Sequence, residues 1–229
     1  LFTLAGAFAA ESPILLWQIG QPDNANRGFA LTPNRYREFH DDGFYVVGQS
    51  DAKRDWPYVH PGPSDGWAGG RPHTFTVLFG LKSAPAQGQG RLQFDLLDTQ
   101  NAAPPKLKVQ INGHGFERSL PKGGSDASVN GDPAKGKEHK FDLAIPAEFL
   151  QAGDNDLQVT TLTGSWLLYD WIGFEAPSGL ELAPVKTRTL VDAIQPVQAL
   201  FEKEGRSFQP LRVSIRHFGD ATEATVRVE

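Results

Sequence analysis

The stretch Trp166-Leu-Leu-Tyr-Asp-Trp171-Ile-Gly-Phe-Glu-Ala-Pro177 decides the fold. Apolar and aromatic residues alternate along it, a lone aspartate sits inside it, and it stops at a proline, which has no N–H for a ladder. It reads as the final core strand of a β-sandwich. In a regular strand Leu167, Tyr169 and Trp171 point one way, and Trp166, Leu168, Asp170 and Ile172 the other. Asp170 then lies on an otherwise apolar face and, if buried, needs donors from a loop amide or an arginine. Upstream, Leu150-Gln-Ala-Gly153-Asp-Asn155-Asp-Leu157 and Leu107-Lys-Val-Gln-Ile-Asn112-Gly113 fit the same architecture. The fold expected is all-β, an antiparallel jelly-roll sandwich.

Working outward, His73 to Phe79, Arg91 to Leu96 and Lys106 to Ile111 alternate an inward apolar set with an outward polar one, as strands with one wet face do. Asn112-Gly113 is a hairpin turn signal, with Phe116 to Leu120 as the returning strand. Pro13 to Ile19, Phe44 to Val47, Phe141 to Ile145 and Leu157 to Leu162 read as further strands, and Pro146 to Leu150 as one helical turn. Two long loops interrupt the pattern. Gln49 to Arg71 is rich in aromatics, and Pro121 to Lys140 is rich in Gly, Ser, Asp and Lys. Past Pro177 the spacing changes: Leu180 to Val185 reads as a linker strand, then Val197 to Phe201, Gln209 to Arg216 and Ala224 to Val228 as strands, with a Gly219-Asp220 turn. These are too few for an independent sandwich. The predicted organisation is a leading segment over 1–12, a jelly-roll domain over 13–178, and a linker with part of an immunoglobulin-like β domain over 179–229.

At 229 residues, 39% hydrophobic and 21% charged, the chain has the makeup of a globular protein, and 24 Gly with 17 Pro favour many strands joined by turns. A formal charge of -5 argues against a nucleic-acid partner. With no cysteine there is neither disulfide nor thiolate chemistry. Leu1 to Ala10 reads equally as the end of a signal-peptide core with a small-x-small cleavage pattern or as an ordinary first strand or helix. No stretch reaches the ~18 apolar residues of a membrane helix. The lack of methionine gives the expectation of a piece of something longer.

Candidate chemistry gathers in the loops. Trp56, Tyr58, His60 and Trp67 lie in one loop with Asp55, Asp65 and Arg71. Exposed rings stack on the C–H faces of sugars while acids and guanidinium groups bond hydroxyls, so these seven are candidate carbohydrate contacts. The same rings would equally serve as the loop's own small core. Asp126, Asn130 and Asp132, or Asp154, Asn155 and Asp156, offer oxygen ligands of the kind calcium takes, and are also ordinary turn residues. The histidines at 40, 60, 73, 114, 139 and 217 lack zinc spacing. No Gly-x-Ser-x-Gly elbow or phosphate loop is present. Asp41-Asp42, and Asp170 with Glu175, are the carboxylate pairs that glycoside chemistry would call on.

Leu16-Trp17-Gln18-Ile19-Gly20 with Asp23, Val47-Gly48 with Asp51, Asp55-Trp56, Lys106-Leu-Lys-Val109 into Ile111-Asn112-Gly113, Leu150 with Gly153 and Asn155, and Tyr169-Asp170 with Glu175 together resemble the C-terminal jelly-roll domain of family 4 rhamnogalacturonan lyases. The likeness covers roughly Pro13 to Pro177, and its Leu-x-x-Gly-x-Asn-x-Leu element is shared across galactose-binding-like sandwiches. In those lyases the domain comes last, behind a catalytic β-sandwich and an immunoglobulin-like domain. Here it stands near the N-terminus, and the catalytic domain is not in this sequence. The resemblance implies a non-catalytic carbohydrate-binding or scaffolding domain of a secreted or periplasmic polysaccharide-degrading enzyme. Its expected partners are a pectic or other plant glycan and a catalytic domain or chain of the same protein, with neither nucleic acid nor membrane. One alternative is a lyase or glycoside hydrolase completed by another chain or by missing sequence. The other is a structural domain packed on a catalytic neighbour, with Trp56 and Trp67 buried.

Overall fold

The computed structural model describes residues 14–177, 179–186, 189–218, 223 and 225. The leading segment 1–12, the Gly219-Asp220 turn and all but Thr225 of the strand expected at 224–228 lie outside them. The chain divides into two compact units, Leu1–Val185 and Lys186–Glu229.

In the first unit the strands are β1 (Ile14–Gly20), β2 (Phe44–Val46), β3 (Val59–His60), β4 (Thr74–Leu81), β5 (Gln89–Thr99), β6 (Lys106–Ile111), β7 (His114–Ser119), β8 (His139–Pro146), β9 (Gly153–Thr163), β10 (Leu167–Ala176) and β11 (Leu182–Ala183), with a short helix α1 (Ala52–Asp55). Among the described residues one sheet runs β1-β10-β5-β8, with β3 also on β10; the other runs β11-β4-β9-β6-β7, with β2 on β4. All these pairings are antiparallel except β2 with β4. This is the jelly-roll sandwich expected. Leu182–Ala183 lies past the sequence-based boundary at 178 and pairs with β4.

Alternation makes the core. Leu107, Val109 and Ile111 of β6, Phe75, Val77 and Phe79 of β4, and Leu157 and Val159 of β9 are fully buried against Ile19, Leu92, Phe94, Leu96, Ile172 and Phe174 of the other sheet. Each such side chain contributes about 1.5–3 kcal/mol by leaving water. Trp17, Phe79 and Phe174 knit the two sheets with ring centroids 5.6–5.8 Å apart. The Asn112-Gly113 turn has both residues at positive φ, 47° and 83°, the conformation a two-residue hairpin needs. The Asn112 side-chain amide donates to Asn155 Oδ1 at 2.8 Å, and buried Asn155 bonds the Gln151 and Gly153 backbone. Asn155 is thus a turn pin.

Strand β10 departs from regular alternation. Tyr169 pairs with Leu96 and Trp171 with Asp95, so Asp170 is an extra residue with no partner in β5. The bulge resets the parity that the sequence reading assumed. Tyr169 points into the core among Phe29, Trp56, His60 and Phe75, Trp171 points outward, and Asp170 turns toward the loop after β1.

The second unit pairs β12 (Thr189–Pro196) with β15 (Leu211–His217), and β13 (Phe201–Lys203) with β14 (Arg206–Phe208). Strands β12 and β14 are additions to the sequence reading, and β13 begins where a strand was expected to end. None of the described side chains there is buried, and Val191, Ile194 and Leu200 are more than half exposed.

Candidate functional site

The aromatic loop folds inward. Trp56, Tyr58 and His60 have no exposed surface. Trp56 meets Phe75 edge-on at 5.1 Å, Tyr58 donates its hydroxyl to the Val129 carbonyl at 2.6 Å, and His60 stacks on Phe75 at 3.8 Å. The His60 Nε2 lies 3.0 Å from the His73 carbonyl, which only accepts, so Nε2 carries the proton and Nδ1 accepts from the Tyr169 hydroxyl at 2.8 Å. Burial lowers the His60 pKa to about 3, in keeping with that neutral ring. These three side chains are therefore corrected from sugar contacts to core: a ring without accessible surface has no face to stack on a sugar.

The rest of the predicted set is dispersed. Asp65 is buried, accepting from the Gly62 amide and the Ser165 hydroxyl, and burial pushes its carboxyl up. Half-buried Trp67 packs edge-on against Tyr36 at 5.0 Å. Asp55 closes α1, paired with Arg54 at 2.7 Å and accepting from the Asp51 amide. Arg71 is exposed and bonds Asp42 at 3.0 Å. Asp170 accepts from the Asn24 and Ala25 amides, each at 3.1 Å, and Glu175 pairs with Arg91 at 2.8 Å, so neither carboxylate of that pair stands ready for chemistry.

The long loop after β7 is organised by a residue the sequence reading passed over. Asp98 on β5 is fully buried, and its Oδ1 accepts from the Thr99, Gly124 and Lys137 amides while Oδ2 accepts from the Ser128 hydroxyl at 2.6 Å. The proposed calcium ligands lie beside this hub. Asp126 accepts from Gln100, and Asn130 spends its amide on the Asp126 carbonyl. Among the described residues no group of three or more His, Cys, Asp or Glu is placed to hold a metal ion. Nor is any helix long and apolar enough to cross a membrane.

A different surface gathers the right groups. On the outward side of the β1-β10-β5-β8 sheet, an open hollow of about 280 Å³ is bordered by Pro22, Gln93, Asp95, Lys140, Asp142 and Trp171. The half-buried indole lies across Gly173, where an added Cβ would come within 2.1 Å of the ring. Its Nε1 donates to Gln18 Oε1 at 3.0 Å, which holds the plane. Asp95 Oδ2 meets Lys140 Nζ at 2.8 Å, and Lys140 also reaches Glu138 at 2.9 Å. These two acids hold the Lys140 ammonium charged, while burial pushes the Asp95 carboxyl up against the pull of Lys140. Two polar atoms are left over: Asp95 Oδ1 and Gln93 Nε2 are buried and have no partner. Leaving such groups unpaired costs about 1–3 kcal/mol each.

Sequence reasoning missed this surface because it kept Trp171 in register with Tyr169. The usable signal was Trp171-Ile-Gly173, since a strand glycine two places from a ring leaves the floor that ring lies on.

An aromatic ring beside unpaired polar atoms, on one face of a jelly-roll sandwich, is an arrangement that suits a carbohydrate-binding-module-like domain. Residues 15–174 match the family described as CBM-like, polysaccharide lyase family 4, domain III, and the chain belongs to that family. Comparison with curated proteins gives no match. Among solved structures the chain is similar to a family 35 carbohydrate binding module from an environmental isolate, at 15% identity over 49% of this chain and 71% of that one, TM-score 0.35. It is similar also to a CBM35 from Cellvibrio japonicus, at 16% identity over 50% and 71%, TM-score 0.31. A third is dimeric latent PorU from Porphyromonas gingivalis, at 16% identity over 52% of this chain and 11% of that one, TM-score 0.34.

Proposed function

We propose that this chain is a non-catalytic carbohydrate-binding module that docks a secreted polysaccharide-degrading enzyme onto a pectic or other plant glycan, and that the glycan lies on the outer sheet face over Trp171. The observation that carries the reading is the indole lying across Gly173 beside unpaired Gln93 Nε2 and Asp95 Oδ1. The ring offers a flat apolar face to the C–H side of a pyranose, and the amide and carboxylate reach hydroxyls at its edge. Asp42, Glu175 and Asp170 are occupied by Arg71, Arg91 and two backbone amides respectively, which favours binding over bond cleavage there.

Calorimetry of the chain with oligogalacturonides, rhamnogalacturonan oligosaccharides, galactan and arabinan oligosaccharides tests this. Saturable binding of at least one series without new reducing or unsaturated ends is expected. Trp171→Ala should weaken that binding at least tenfold, about 1.4 kcal/mol, and leave the fold intact. Product released by this chain alone, or an unchanged affinity in Trp171→Ala, sinks the proposal.

A further inference from the structure

We infer that the glycan surface is an extended groove with a second subsite, built for an internal run of an oligosaccharide rather than for one terminal sugar; this rests on the reading just given. Along β5, Gln93 and Asp95 border the first hollow, and Leu97, two residues on, borders another of about 600 Å³. On the neighbouring side Asp142 and Lys140 border the first and Glu138 the second. Leu97 is an extra residue in β5, because Leu168 pairs with Asp98 and Tyr169 with Leu96, so the two hollows are joined by the chain segments they share rather than by strict strand parity. The loop after β1 spans both: Pro22 edges the first, and Asp23 to Arg27 wall the second. From Gln93 to Leu97 the floor runs at most about 13 Å at a strand's rise, longer than a single pyranose ring.

The second hollow carries its own unfilled recognition group. Asn26 is 2% exposed, lines the hollow, and its Nδ2 has no partner. It repeats there what Gln93 and Asp95 present beside Trp171. Arg27 adds a guanidinium at the wall, and the opposite wall comes from Gly131, Pro133 and Ala134. Both walls are held in place by buried carboxylates. Asp170 takes the Asn24 and Ala25 amides on one side, and Asp98 takes Gly124, Ser128 and Lys137 on the other. The groove is thus preformed, and an oligosaccharide would not have to order it.

The test is calorimetry of the intact chain with size-fractionated galactan and rhamnogalacturonan oligosaccharides of two to eight units, on wild type, Trp171→Ala, Arg27→Ala and Ala134→Phe, which fills the second hollow from an exposed position. Affinity is expected to rise at least tenfold with length before it levels off. Arg27→Ala and Ala134→Phe should each remove most of that gain while leaving the two-unit affinity and the melting temperature unchanged, and Trp171→Ala should weaken every length. An affinity independent of length, or a gain that survives both second-hollow variants, overturns the second subsite while the binding reading stands. Binding of neither series at any length overturns both.

Discussion

Two residues on β10 carry sharp consequences. Gly173 has ordinary backbone angles, so alanine there is conformationally allowed, yet its Cβ would meet the Trp171 ring at 2.1 Å. Gly173→Ala should therefore lift the indole off the sheet, blunt glycan affinity severalfold and shift tryptophan fluorescence, with little loss of stability. Unchanged affinity would show that the seat of the ring on Gly173 is unimportant. Asp170 is the other. Burial raises its pKa from 3.8 to about 6, against the pull of the Asn24 and Ala25 amides. The native carboxyl holds its proton more tightly than the unfolded one, so the stability it contributes is whole below pH 3.8 and is lost as pH rises through about 6. His60 has the opposite sign: with its pKa depressed from 6.5 to about 3, its contribution is present above 6.5 and lost as pH falls. Asp170→Asn cannot ionise, so its melting temperature minus that of wild type should climb between about pH 4 and 7. A flat difference would mean that the Asp170 charge costs nothing.

At the scale of elements, the loop between β7 and β8 is the informative piece. Its Gly, Ser and Asp content reads as a mobile loop with oxygen ligands to spare, but the order comes from one carboxylate four hydrogen bonds deep. Asp98→Ala should cost about 2–4 kcal/mol in urea unfolding and open 121–138 to limited proteolysis. Chelation with EDTA should leave the melting temperature of wild type unchanged. A midpoint that drops with EDTA would restore calcium to the Asp126, Asn130 and Asp132 region. No composition rule marks Asp98, because Leu96-Leu97-Asp98-Thr99 carries no sign of which remote amides will converge on it. The aromatic loop shows the same limit. Trp56, Tyr58 and His60 are the residues of a sugar site by type, and their burial depends on the place β3 takes beside β10.

For the whole molecule, the core of the sandwich lies within the first unit, while the described side chains of 186–218 bury nothing fully. A chain cut after Val185 should keep its unfolding free energy to within about 1 kcal/mol and keep the glycan affinity of the longer chain. A large loss of either would tie the second unit to the first. Much of this architecture was legible beforehand: period-two alternation in β4, β5 and β6, the Asn112-Gly113 turn and the motifs around Trp17, Asn155 and Tyr169 mark an antiparallel jelly-roll, because local patterning specifies which face of each strand is apolar. The same patterning could not specify how strands interlock. A single bulged residue at Asp170 separates Tyr169 from Trp171, sending one ring into the core and the other to the surface. By itself the sequence determined the sandwich. Only the tertiary structure decided that Trp171 lies on the outer sheet face while Trp56, Tyr58 and His60 lie in the core, because exposure depends on register and on contacts between residues far apart in the chain.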